Sequence, residues 1–211
     1  MTFERRTRNQ RKRLAKPFAC SVSLSRYPSD EEEERLLKAL PTDAGRQRLT
    51  VLLHTGFRRS ELLGLRWKDV DFKAGVLTVP RSKNGDARHV PMTTTVRGIL
   101  SRLPRQLDPT SLVFPNTEGN RDLRWAKIII PAPLRDAKIA DFRFHDLRHT
   151  FASRLAMEGV DLLTIKELGG WKSLQMVQRY AHLSPSHRHS AIERLVRRPT
   201  SAEPAKAVGA E

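Results

Sequence analysis

Cysteine is nearly missing from this chain: Cys20 is the single one in 211 residues, which excludes an intrachain disulfide and a cysteine-built metal cluster. That usage fits a reducing compartment, and a cytoplasmic, nucleoid-associated location is expected. No apolar run reaches transmembrane length, and Lys16 to Ser25 lacks the continuous apolar stretch of a secretory signal, so no membrane partner is expected. Internal repeats are lacking as well. Acidic residues are in deficit, with 23 Asp+Glu against 39 Lys+Arg and a formal charge of +16. Such an excess favours a polyanionic partner through counterion release and long-range attraction, nucleic acid before others. Eight basic residues and one acid give the segment from Met1 to Arg26 a charge of +7, which leaves +9 on the rest, so the body is basic without its start. The arginine-rich, acid-poor start has a faint likeness to an organelle transit peptide, but arginine runs are commoner as solvated or DNA-touching arms.

A chain of this length suits one ordinary domain with tails and can bury a core without disulfides or structural metal. Ser29 followed by Asp30-Glu31-Glu32-Glu33 predicts a helix N-terminus near the start of the ordered domain at Tyr27. Leu36, Leu37 and Leu40 sit at helical spacing, and Arg46 to His54 predicts a second helix that Gly56 interrupts. Ser60 to Arg66 resumes helical character, which puts Arg58 in the turn between two helices. Val76 to Val79 and Arg88 to Pro91 are β-prone runs flanking Asn84-Gly85, a hairpin signal with Lys83 at its tip. Leu112 to Pro115 is a brief extended segment, and Leu123 to Ile130 is helical in character until Pro131 and Pro133 disturb it. Three helices are predicted beyond: His145 to Met157 closed by Gly159, Asp161 to Leu168 closed by Gly169-Gly170, and Ser173 to Ala181. Ser190 to Arg197 is a small amphipathic helix whose partner, its own domain or a neighbour, the pattern leaves open. The expected fold is α+β, mostly helical, with a small antiparallel β-hairpin sheet.

Cutting a phosphodiester requires a nucleophile, charge neutralisation on non-bridging oxygens and a proton for the departing oxygen. His145-Asp146-Leu147-Arg148-His149, Arg179-Tyr180-Ala181-His182 and Thr55-Gly56-Phe57-Arg58-Arg59-Ser60-Glu61 together offer these roles. A tyrosine nucleophile conserves bond energy as a phosphotyrosyl ester and permits rejoining without ATP. Its phenol has a reference pKa of about 10, so guanidiniums or an imidazole must favour phenolate as it attacks. His145 and Arg148 stand at i and i+3, which lets them converge on one phosphate. Each residue alone has a plainer reading. An HxxR pair is usually a solvated surface pair, Arg58 and Glu61 a surface ion pair, a lysine at a hairpin tip a guard against aggregation, and a lone tyrosine a packing residue. His145 and His149 also have zinc-compatible spacing, but no third ligand stands nearby, and no metal is expected.

The three segments together resemble those of the tyrosine recombinases, the phage integrase family, over about Tyr27 to Arg197. Thr55 to Leu62 is similar to the family's first arginine box, and His145 to Ala152 to its second. Leu168-Gly169-Gly170-Trp171-Lys172-Ser173 with Met176, Arg179, Tyr180, Ala181 and His182 is similar to its nucleophile box. The resemblance implies that Arg58 and Arg148 clamp the scissile phosphate. It further implies that His145 hydrogen-bonds that phosphate or handles the nucleophile's proton, that Lys83 is the general acid, and that Tyr180 attacks. Trp171 stands where many relatives have histidine; its indole donates one hydrogen bond and packs the site without shuttling protons. Glu61 would orient Arg58 or His149, and His182 would buttress the nucleophile. No cofactor is implied, and relatives act as tetramers on a DNA synapse, with a monomer when free.

Family members carry a separate helical core-binding domain ahead of the catalytic one, and the segment from Met1 to Arg26 is too short and too polar to supply it. The expected organisation is a basic arm over 1–26, a catalytic domain over 27–197 and a disordered tail over 198–211. The implied function is site-specific recombination of DNA, by integration, excision or inversion, through a 3′-phosphotyrosyl intermediate. Two alternatives stand beside it: a truncated integrase remnant that binds DNA without recombining it, and activity like that of a type IB topoisomerase.

Overall fold

The computed structural model describes residues 27–80, 87–125, 131–140, 142–184 and 192. Helix α1 (Asp30–Ala39) starts where the sequence predicts: the Ser29 hydroxyl accepts from Glu32 N, and Glu32 reaches back to accept from Ser29 N at 3.1 Å. This reciprocal cap satisfies two amides that the first turn would leave bare. Helix α2 (Asp43–Thr55) begins three residues earlier than its hydrophobic pattern suggests, because Thr42 caps it by accepting from Gly45 N at 3.1 Å. It ends at Gly56, whose φ of 60° is left-handed and therefore suited to glycine. A β-carbon at Gly56 would stand 2.4 Å from the Phe151 ring, so the same glycine also permits a close helix crossing.

Helix α3 (Arg59–Gly64) is shorter than the expected Ser60 to Arg66. Leu65 turns extended and Arg66 bridges to Leu112, so pairing with the Leu112 to Pro115 segment takes the last residues out of the helix. Strands β1 (Val70–Asp71), β2 (Val76–Val79) and β3 (Arg88–Pro91) form an antiparallel sheet in the order β1-β2-β3. The register pairs Val70 with Leu77, Leu77 with Val90, and Val79 with Arg88. Leu77, Val79 and Val90 are buried, as the period of two requires of a half-covered sheet. The turn between β2 and β3, with Lys83, lies outside the described residues.

Helix α4 (Thr94–Arg102) was not anticipated, although Thr93 caps it and Val96 and Leu100 face the core at helical spacing. Helix α5 (Pro131–Asp136) corrects a second expectation, that Pro131 and Pro133 disturb helical structure. Both prolines fall in the first turn, where backbone N–H groups have no intrahelical partner to lose. Residues 126–130 lie outside the description. Helix α6 (Asp146–Met157) and helix α7 (Leu162–Gly169) match their predicted spans closely, with Asp161 capping α7 and Gly170 closing it at φ 68°.

The predicted helix over Ser173 to Ala181 is instead a pair of 3-10 turns, Leu174–Met176 and Gln178–Leu183. In a 3-10 turn residues i and i+3 eclipse, which aims Val177 and Tyr180 at the same apolar surface. They are 0% and 1% exposed. The expected helix at Ser190 to Arg197 falls outside the described residues apart from Ile192, which is exposed.

Two apolar clusters organise the molecule. The larger gathers Leu49, Leu52, Leu62, Leu77, Leu100 and Leu147, and the smaller holds Ala152, Ala156, Ile165, Trp171, Val177 and Tyr180. At about 1.5–3 kcal/mol for each large side chain taken fully out of water, these clusters carry most of the favourable folding energy. Helix α6 joins them, with Leu147 in the larger and Ala152 and Ala156 in the smaller. Arg148 sits on that helix where the two clusters meet.

Candidate active site

Arg58 occupies the N-cap of α3, and its backbone N–H donates to Glu61 Oε2 at 2.8 Å. Its Nη1 donates to Glu61 Oε1 at 2.6 Å and its Nη2 to the Gly170 carbonyl at 2.8 Å. The guanidinium is therefore held from two sides, by its own turn and by the turn that ends α7. A third of the side chain remains exposed.

Arg148, the second predicted arginine, is 2% exposed. Its Nη1 donates to the Gly56 carbonyl at 2.5 Å, and its guanidinium carbon lies 4.0 Å from the centre of the Trp171 ring. This stacking supplies an electron-rich face to a cation removed from water. Burial, with the positive neighbours Arg58 and Arg88, lowers the Arg148 pKa to about 9, so the group is still cationic at neutral pH. Its Nη2 is buried without a hydrogen-bond partner among the described residues. A buried charged donor left over in this way is costly, and an anionic oxygen is the partner it suits.

Tyr180 packs against Trp171, with ring centroids 6.0 Å apart in an edge arrangement. Its hydroxyl is hydrogen-bonded to Nδ1 of His149. Burial raises the phenol to a pKa of about 12 against the opposing pull of Arg179 and Arg148. Burial, then the neighbouring His145, lowers His149 to about 4. At neutral pH the pair is thus a protonated phenol beside a neutral imidazole, and in the Nε2–H tautomer the ring accepts the phenol's hydrogen.

His145 stands at the N-cap of α6, open to the surface, with its ring edge-on to His149 at 4.9 Å between centroids. Partial desolvation and the Arg148 charge lower its pKa. The structure therefore gives the contact with the tyrosine hydroxyl to His149, not to His145. Glu61 likewise contacts Arg58 and not His149. His182, expected to buttress the nucleophile, is exposed, and its side chain makes no hydrogen bond among the described residues. Arg58, Glu61, His145, Arg148, His149, Trp171 and Tyr180 are otherwise linked in one network, and Lys83 lies outside the described residues.

One member of the network was missed. Arg88, on β3, donates from Nη1 and Nη2 to the two Glu61 oxygens at 3.0 and 2.7 Å, and from Nε to the Leu168 carbonyl at 3.0 Å. Burial alone would raise the Glu61 pKa, but hydrogen bonds and charge from Arg88, followed by the Arg58 contacts, bring it down to about 2. The signal was present in the strand pattern. Arg88 shares a face with the buried Val90, and a charge on the covered face of a strand requires a partner.

The model of the phage integrase family matches residues 27–187. The integrase of Salmonella phage P22 is 36% identical over 147 residues, which are 64% of this chain and 38% of that protein. Tyrosine recombinase XerA of Pyrococcus furiosus is 32% identical over 180 residues, 82% of this chain and 62% of that protein. Among solved structures, the catalytic domain of bacteriophage HP1 integrase superposes with a TM-score of 0.61 at 25% identity, covering 79% of this chain and 93% of that domain. The chain thus spans between 38% and 62% of the length of these two curated relatives. With a family match that extends over both arginine turns and the tyrosine turn, and a fold that follows a catalytic domain along nearly its whole length, the chain belongs to the phage integrase family.

Proposed function

We propose that the chain is the catalytic portion of a site-specific DNA recombinase that cleaves and rejoins double-stranded DNA through a 3′-phosphotyrosyl intermediate. The observation that carries this reading is the juxtaposition around Trp171. A buried guanidinium whose Nη2 has no hydrogen-bond partner among the described residues lies over the indole, and the ring of a tyrosine whose hydroxyl is held by a neutral imidazole meets the same indole in an edge arrangement. In the reaction the Tyr180 oxygen forms a bond to phosphorus as its proton passes to His149, and the bond from phosphorus to the 5′ oxygen breaks. Arg58 and Arg148 neutralise the non-bridging oxygens, His145 at the site's mouth hydrogen-bonds one of them, and Lys83 returns a proton to the departing 5′ oxygen. Atoms and charge balance without a cofactor, and reversal onto a partner strand regenerates the phenol. The catalytic domain runs from Tyr27 to Arg197, and exchange of two strands uses four copies on paired DNA, the free chain being a monomer.

Tyr180→Phe tests the assignment, because it removes the attacking oxygen and keeps the ring that packs against Trp171. On a nicked suicide substrate the variant is expected to yield no covalent protein–DNA adduct while binding DNA as the unmodified chain does. An undiminished adduct yield would overturn the role of Tyr180. Binding without adduct from the unmodified chain would replace cleavage by DNA binding alone, and supercoil relaxation without strand exchange would point to a topoisomerase.

A further inference from the structure

Arg58 faces a difficulty that its immediate surroundings do not resolve. Its Nη1 is paired with Glu61 at 2.6 Å, and a lone carboxylate at that distance would cancel the charge a phosphate needs. A second cation alters the balance. Arg88 engages both Glu61 oxygens, so the three groups together keep one positive charge where Arg58 and Glu61 alone would keep none. The Arg88 side chain is 9% exposed and its guanidinium lies over the Phe57 ring at 5.7 Å, which removes it from direct contact with a substrate. Its Nε bond to Leu168 O also anchors the end of α7, close to the Gly170 carbonyl that Arg58 holds. A β-carbon at Gly170 would meet Arg88 Cδ and Nη1 at 2.9 Å, so the two are closely packed.

We propose that Arg88 is a positioning residue for the phosphate site. By occupying both oxygens of Glu61 it lets that carboxylate orient Arg58 without neutralising it, and by holding Leu168 it fixes the turn that presents the Gly170 carbonyl and Trp171. The proposal rests on the DNA-cleavage reading only for its consequence on rate; its consequence for anion binding is independent of that reading. Lysine replaces this residue only in part, because it keeps the charge but a single ammonium does not span two carboxylate oxygens and a carbonyl in one plane. Removal of Arg88 leaves Glu61 to Arg58 alone, and the damage is then relieved by removing Glu61 as well. A merely structural role predicts no such relief.

The test compares Arg88→Lys, Arg88→Gln and the double variant Arg88→Gln/Glu61→Gln, with thermal unfolding to verify that each folds. In single-turnover cleavage of the suicide substrate at saturating protein, Arg88→Gln is expected to be slower by about 10- to 100-fold. Arg88→Lys should be intermediate, and the double variant at least about tenfold faster than Arg88→Gln. Inorganic phosphate titrated against the arginine Nε–Hε NMR signals should show affinity at Arg58 that weakens in Arg88→Gln and recovers in the double variant. A double variant no better than Arg88→Gln in either assay, an Arg88→Gln that behaves as the unmodified chain, or no phosphate response at Arg58 at all overturns the proposal and leaves the cleavage reading standing. An unmodified chain that forms no adduct, yet follows the predicted phosphate pattern, overturns the cleavage reading and leaves Arg88 in its role.

Discussion

In the proposed reaction His149 has to remain uncharged to accept the phenol's proton, and the surroundings that keep it neutral have a cost in acid. Its folded-state pKa is about 4, whereas an unstructured histidine titrates near 6.5. Between those values the unfolded chain binds a proton that the folded chain refuses, so folding stability is fully expressed above pH 6.5 and falls as pH drops toward 4. Glu61 acts in a lower window. Its folded pKa of about 2 lies below the unfolded carboxylate value, so its contribution is present above about pH 4.5 and is lost as pH falls through 2. Melting temperature followed against pH should therefore decline in two stages. His149→Asn should shrink the upper stage and leave the lower one, with the part due to His145 and His54, whose pKa values burial also lowers, still visible. An upper stage of unchanged size in that variant would show that His149 is not the group buried in its neutral form.

Helix α7 and the turn that ends it show how local preference and packing can conflict within one element. Gly169 is the last residue of the helix, where alanine is ordinarily the better helix former by about 1 kcal/mol. A β-carbon there would stand 1.8 Å from the Trp171 ring, which is itself held by contacts with Arg148 and Tyr180. Overpacking against a rigid ring costs about 1–3 kcal/mol, so the clash outweighs the propensity gain. Gly169→Ala should lower stability in urea denaturation and shift tryptophan emission; a more stable variant would refute this packing. Elements whose ends depend on local chemistry were legible in the sequence: Ser29 starts α1, Gly56 ends α2, and β2 and β3 have the predicted limits. What was not legible depends on contacts between distant segments. Whether Val177 and Tyr180 continue a helix or tighten into 3-10 turns is decided by the apolar surface they must reach together. The alternation of β3 puts Arg88 on the face of the buried Val90, but only the folded chain shows that its partner is Glu61, 27 residues away in sequence. The family boxes located both histidines of the second arginine segment but pointed to His145 for the phosphate or the nucleophile's proton, whereas in the folded chain it is His149 that meets the tyrosine hydroxyl.

Charge is distributed over the whole molecule unevenly enough to make a measurable prediction about DNA. The chain carries +16 in total, of which eight basic residues and one acid place +7 between Met1 and Arg26 and leave +9 on the remainder. Within that remainder several positive groups are already committed internally: Arg48 to Asp122, Arg88 to Glu61, and Arg154 to Glu33. The acids of these pairs are already subtracted in the +9, so the pairs add nothing to the net charge, and the segment from Met1 to Arg26 holds +7 of the +16. Each phosphate neutralised adds about 0.9 to the slope of log affinity against log salt. Deleting Met1 to Arg26 should accordingly reduce that slope by at most about 6, the value if every net charge there meets a phosphate. A substantial slope should persist from the remaining chain, and, on the proposed function, the rate of adduct formation at saturating protein should be preserved, because the residues around Trp171 are retained. Equilibrium binding to a generic duplex between about 50 and 200 mM salt, a range over which such contacts weaken binding by roughly several orders of magnitude, measures both slopes. An unchanged slope after deletion would mean that the basic start of the chain does not meet the DNA, and a slope near zero would mean that the body does not.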